Sequence, residues 1–250
     1  MSSIPALGNL RIATQADVLR ISIVAVAAFV FSPVFKWERP YHKEYPKDTL
    51  LSYRSLFEDA VRSDDYIVLV AEDDYVSSEN DHTIATIPDD HDWPAPAPGE
   101  GIKVVVGFIS IKLEPESPHR GKFTDGKGSS PRKRSQSLGR DLNHRHYDNW
   151  AALSTSVREK NNVLNDSTIS MLAVHAAYWR RGHGRRLATW AKSLAMNDRV
   201  PQCVSATSMS QPLFESLGFQ KLDEIEASGD NDDPEGARTC LLEFGGEYRE

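Results

Sequence analysis

The sequence predicts an α/β fold in a single domain, and three observations carry that prediction. The chain has 250 residues, 40% of them hydrophobic, enough apolar material for one sizeable core. Short apolar runs of strand type, at 66–71, 102–113 and 202–207, are interleaved with segments of helical period. The clearest stretch, 168–195, reads TISMLAVHAAYWRRGHGRRLATWAKSLA: a strand, a glycine-bearing turn and a helix.

In order, residues 10–13 form a short strand. Thr14 and Asp17 have the spacing of a helix N-cap with an acidic third position. The helix that follows runs to 28 or 31 and stops before Pro33. Its apolar stretch, 21–35, is interrupted by Ser22, Ser32 and Pro33 and is too short for a membrane span. Residues 35–46, FKWERPYHKEYP, read as an aromatic loop that packs as a satellite core or borders a binding site. Asp48 caps a second helix whose buried face holds Leu50, Tyr53, Phe57 and Val61. The strand at 66–71 is apolar throughout, as an interior position requires.

Residues 77–101 carry four prolines, six acidic groups and no lysine or arginine, and read as a mobile hairpin insertion. Gly107 suggests a bulge in the next strand. A second insertion, 114–149, holds Arg132, Lys133 and Arg134 beside Ser135 and Ser137. Its plainest reading is a solvated loop, with a nuclear-entry or phosphorylation role as the functional alternative. A short helix follows at 150–164. After the strand at 202–207, Ser208 or Ser210 caps a helix with Pro212 in its first turn and Gly218 at its end. Residues 219–222 and 238–244 pair as strands around an acidic loop that includes Asp223, Glu224, Glu226 and Asp230. The domain thus spans 8–246, with 1–7 and 247–250 as flexible termini.

The net charge of −7 argues against a general nucleic-acid binder. Cys203 and Cys240 are too few for a disulfide framework or a metal cluster, which suits a reducing, cytoplasmic setting.

The turn carries the chemistry. Gly182 and Gly184 let a phosphate approach the backbone, and the start of a helix leaves amide donors without partners. Arg180, Arg181, Arg185 and Arg186 add charge at the same point. A dinucleotide fold would need a third glycine at 187, which is Leu.

The pattern LxVxxxxxxRGxGRxL, with PLFESLGF (212–219) downstream, resembles the GCN5-related N-acetyltransferase (GNAT) superfamily. WERP (37–40) and YPKDT (45–49) resemble segments of its fungal members, some of them linked to secondary metabolism. The resemblance implies a mixed, mostly antiparallel sheet of six to seven strands flanked by about four helices, with the fourth and fifth strands splayed. It implies acetyl-CoA as co-substrate, its pyrophosphate held by Arg180, Arg181, Gly182, His183, Gly184, Arg185 and Arg186. The pantetheine arm would run along Leu172, Ala173 and Val174 toward Phe214. The acceptor would be a small amine, a protein lysine or an N-terminus, with no nucleic-acid or membrane partner. The Val174 amide would face the thioester carbonyl. Glu72 is the candidate base, with His175 as a second, and Ser210, or Ser208, the candidate acid or water positioner. Two positions depart from the pattern. Trp179 replaces a Gln or Arg of the turn, and Phe214 stands where many members have a proton-donating tyrosine. An alternative is therefore a weak or silent acyl-CoA-binding protein on the same fold.

Overall fold

A computed structural model describes residues 3–89, 93–97, 101–125 and 137–249. The basic cluster Arg132–Arg134 and Ser135 lie outside the described residues.

Seven strands form one sheet. They are β1 (Leu10–Ile12), β2 (Tyr66–Asp74), β3 (Lys103–Lys112), β4 (Ser167–Val174), β5 (Gln202–Ala206), β6 (Gln220–Ala227) and β7 (Ala237–Phe244). Their order across the sheet is β1-β2-β3-β4-β5-β7-β6, and every pairing is antiparallel except β4 with β5. Strand alternation sends Ile67, Leu69 and Ala71 of β2 to one face and Val68 and Val70 to the other. The first face packs on α5 (His183–Asp198) through Leu187, Trp190, Ala191 and Leu194. The second packs on α1 (Val18–Phe29) and α3 (Pro46–Arg62). Two layers of helix thus cover a two-faced apolar sheet, the arrangement that the all-apolar core of β2 demands.

The predicted capping box is present: the Thr14 amide and hydroxyl both donate to Asp17 Oδ2, at 2.8 and 2.9 Å. Leu50, Tyr53, Phe57 and Val61 are all buried, as the period of α3 predicts. A bulge lies beside Gly107, where the β2–β3 register shifts between Ala71 and Glu72.

Several expectations are corrected. Residues 33–38 are a short helix, α2 (Pro33–Glu38), rather than loop: Ser32 is its N-cap and Pro33 opens its first turn. Asp48 lies inside the first turn of α3, where its carboxylate accepts from the Arg140 amide and guanidinium instead of capping. The start of the first insertion is held against the core. Glu79 is buried and pairs with Arg20 of α1, and Thr83 donates to the Ala27 carbonyl. The second insertion contributes a longer helix than expected, α4 (His144–Lys160), capped by Asn143. Asp223, Glu224 and Glu226 belong to β6 rather than to a loop and pair with Lys160, Lys221 and Arg238. Among the described residues, no helix is long and apolar enough to cross a membrane.

Candidate active site

The site begins where β4 and β5 part. They pair only between Ser167–Ile169 and Gln202–Val204, so residues 170–174 of β4 have no strand partner on that side. A cleft of about 940 Å³ occupies the gap. Its walls include Leu172, Ala173 and Val174 of β4, Val204 and Ser205 of β5, and Ser210, Leu213 and Phe214 at α6 (Gln211–Ser216). Phe29, Val34, Phe35 and Glu38 close it from α1 and α2, with Tyr53 and Trp150 beside them.

The direction of the β4 amides follows from alternation along the strand. The His175 N–H donates to the Val106 carbonyl on the β3 side at 2.8 Å. The backbone groups of Val174, and of Leu172 two residues earlier, therefore point to the open side. The Val174 carbonyl accepts there from the Trp179 indole at 2.6 Å. Trp179, which replaces the usual polar residue of the turn, thus buttresses the end of β4 while packing edge-on against Phe31 at 5.0 Å.

The turn sits at one end of the cleft. Arg180 and Gly182 take left-handed backbone conformations, φ 65° and 85°, which turn the chain sharply into α5. Gly182 is the N-cap, and its carbonyl accepts from the Arg186 amide at 3.1 Å. Among the described residues, none of the amides of residues 180–185 donates to a protein acceptor. A run of unpaired donors at a helix start is an anion cradle. Nothing lies within 4 Å of a Cβ built on Gly182, and one built on Gly184 would touch Val174, Leu172 and Leu213 at 3.7–3.8 Å. Gly184 therefore leaves open the corner where the turn meets β4.

The arginines divide their work. The Arg180 side chain makes no hydrogen bond or ion pair among the described residues and lines the cleft. Arg181 bonds Asp73 at 3.1 Å and lies over the Tyr178 ring. Arg185 bonds the Ser216 hydroxyl, and Arg186 bonds His183 Nδ1. His183 is 3% exposed, with Nε2 bound to Asp73 at 3.0 Å. Its backbone serves the cradle and its ring anchors the turn to β2.

The candidate proton carriers fare differently. Glu72 does not line the cleft; its exposed carboxylate is bound by Arg11 at 2.7 and 2.9 Å. His175 is fully buried outside the cleft lining, and burial lowers its pKa to about 4. Ser210 does line the cleft, with its hydroxyl 3.3 Å from both the Thr207 carbonyl and the Thr207 hydroxyl. Phe214 is buried in the same wall against Phe219.

Sequence reasoning missed Glu38. It lines the cleft at the end of α2, and burial pushes its carboxyl up to about 7 against the partial pull of Arg39. The Ser32–Pro33 pair was the signal for the helix that places it.

Two acidic triplets lie elsewhere, His146–Asp230–Asp232 and Asp166–Cys203–Glu243. Arg145 and Arg249 already supply their positive charge.

The seven-stranded mixed sheet with parted β4 and β5 is a GNAT-like α/β fold. The Acetyltransferase (GNAT) domain family matches residues 132–229. An acetyltransferase from the fungus Stachybotrys chartarum is 28% identical over 229 residues, covering 91% of this chain and 87% of its own. Among solved structures, the chain is similar to a histone acetyltransferase HPA2 and related acetyltransferase from Corynebacterium glutamicum. The TM-score is 0.52 at 16% identity, covering 94% of this chain and 93% of the other. It is also similar to mosquito arylalkylamine N-acetyltransferase like 5b, with a TM-score of 0.51, 13% identity and coverage of 94% and 98%.

Proposed function

We propose that this protein transfers an acetyl group from acetyl-CoA to an amine by direct attack inside the β4–β5 cleft. The observation that carries the reading is the run of uncommitted amides at 180–185, placed at the mouth of a strand gap with open backbone donors. The pyrophosphate fits that cradle, with Arg180 as its free countercharge. The pantetheine arm lies along β4 as an added strand bonded to Leu172. The Val174 N–H faces the thioester oxygen and stabilises the charge that develops there, an effect worth roughly 3 kcal/mol.

Phe214 has no proton for the departing thiolate. Ser210, in the same wall, is the candidate to donate one or to hold a water that does. A second reading, an acyl-CoA-binding protein without turnover, draws on Phe214 alone. The relative from a fungus supports a place for this chain among fungal members.

Calorimetric titration of acetyl-CoA followed by thiol-release assays over an amine panel tests the proposal. Saturable 1:1 binding with thiol release on an amine is the expected result. Binding without release on any amine favours the second reading, and no binding overturns both.

A further inference from the structure

Beyond the cradle the same cleft is walled by residues of α1 and α2. Its walls there include Phe29, Val34, Phe35, Tyr53 and Trp150, and among the described residues Glu38 is the one carboxylate lining the cleft. We infer that Glu38 binds the acceptor's ammonium group and takes its proton, and that the cleft wall around it selects a small primary amine carried on one aromatic or apolar body. This rests on the acetyl-transfer reading above.

The assignment follows from the position of Glu38 and from elimination. Glu38 is the last residue of α2, held in place because its carbonyl accepts from the Asn143 amide at 2.9 Å. The neighbouring Phe35 and Trp37 are buried and fix the helix, while the Glu38 side chain is left at the cleft wall. No described residue donates a hydrogen bond to its carboxylate. The groups facing it are few. Arg39 follows it in sequence but is committed to Asp141 and to the Ser52 hydroxyl, with its guanidinium over the Tyr53 ring at 5.1 Å. From α3 comes Tyr53, whose hydroxyl burial pushes up to about 12, so it stays neutral. From the segment before α4 comes Asp141, already paired.

The other titratable groups of the cleft cannot act as bases. Both ring nitrogens of His183 are occupied. Tyr178 donates to Glu79 and is buried. Arg180 and Arg185 have no proton-accepting form at neutral pH.

The chemistry then balances. R–NH₃⁺ gives one proton to the Glu38 carboxylate. The freed lone pair attacks the thioester carbonyl carbon and a C–N bond forms. The C–S bond breaks with its electron pair on sulfur. The second nitrogen proton passes to that sulfur through water, leaving the amide and the free thiol. A carboxyl near 7 suits this task, because a base works best when its pKa is close to the working pH.

Specificity follows from charge counting. One carboxylate answers one ammonium. A polyamine would place further cations against Phe29, Phe35 and Trp150 with no anion to meet them. An aromatic or apolar body instead buries area against those rings and gains cation–π attraction at its ammonium end. Thr239 lines the same cleft with a buried, unpartnered hydroxyl, one further polar contact for the amine or for the water that carries its proton.

The test uses the full chain, acetyl-CoA, and four acceptors: phenethylamine, tryptamine, spermidine and a lysine peptide. Glu38→Gln and Glu38→Asp variants are compared with the parent across neutral pH. The expected result is a kcat/KM for the aralkylamines at least about tenfold above that for spermidine and the peptide. Glu38→Gln lowers kcat by about 100-fold or more and removes the acidic limb near pH 7, while Glu38→Asp restores part of both. Acetyl-CoA affinity, read by calorimetry, stays at the parental value in Glu38→Gln, which separates this assignment from the binding claim. Parental rates and pH profile in Glu38→Gln would overturn Glu38 as the base. Spermidine or the peptide as the fastest acceptor overturns the acceptor class. Acetyl-CoA binding without turnover of any of the four overturns both.

Discussion

Glu38 should cost the protein stability as pH rises, and this can be measured with no substrate. Burial raises its folded-state pKa from an ordinary 4.5 to about 7. Below 4.5 the carboxyl is protonated in both folded and unfolded chains and contributes no difference. Between 4.5 and about 7 the folded chain holds a proton that the unfolded chain has released, so stability falls as pH rises through that window. At about 1.4 kcal/mol per pH unit the full loss is about 3 kcal/mol, reduced to about 2 where cleft water screens the charge. Glu38→Gln keeps the shape and removes the ionisation. In thermal melts it should track the parent in mild acid. Above neutral pH it should melt roughly 4–8 °C higher, since about 1 kcal/mol moves a domain of this size by 2–4 °C. The groups that feel its charge, Arg39 and Tyr53, titrate far above this window, so the difference isolates one carboxyl. A melting gap that is independent of pH, or that opens toward acid, would refute the reasoning.

Two further outcomes follow from packing. Gly184→Ala should raise stability slightly, by up to about 0.5–1 kcal/mol in a helical first turn, because its Cβ meets only ordinary contacts at 3.7–3.8 Å. The same methyl fills the corner between the turn and β4, so acetyl-CoA affinity should fall by about tenfold; melting and calorimetry together check that the two effects have opposite signs. Glu79→Gln leaves the Arg20 guanidinium, 3% exposed, without its countercharge and should cost about 3–5 kcal/mol, read from urea unfolding.

The parts that were legible in the sequence are those where local pattern and tertiary role agree. The 168–195 stretch could be read because an apolar strand, two glycines and a three-to-four period each point to one structure, and the fold keeps all three. The Thr14–Asp17 box is likewise local. What escaped depends on distant partners. Arg20 interrupts an apolar helix and looks like a solvated position until Glu79, fifty-nine residues later, meets it. The insertion around Glu79 therefore read as mobile, although a buried ion pair and Tyr178 hold it. Asp48 looked like a cap, but Arg140 claims it from across the chain. Glu38 was hidden for a different reason. A six-residue helix between prolines has too little period to announce itself, and its aromatic density read as loop. Glu72 was chosen because it ends an apolar strand, a position that says nothing about Arg11 alongside.

The central claim is that coenzyme A is held by main-chain donors of the turn and of β4. Amide chemical shifts of ¹⁵N-labelled protein, followed as acetyl-CoA is added, measure those donors directly. The largest changes should fall on the backbone amides of residues 180–185 and on Leu172 and Val174. Saturable binding with those amides unmoved, and the changes gathered elsewhere, would contradict the account.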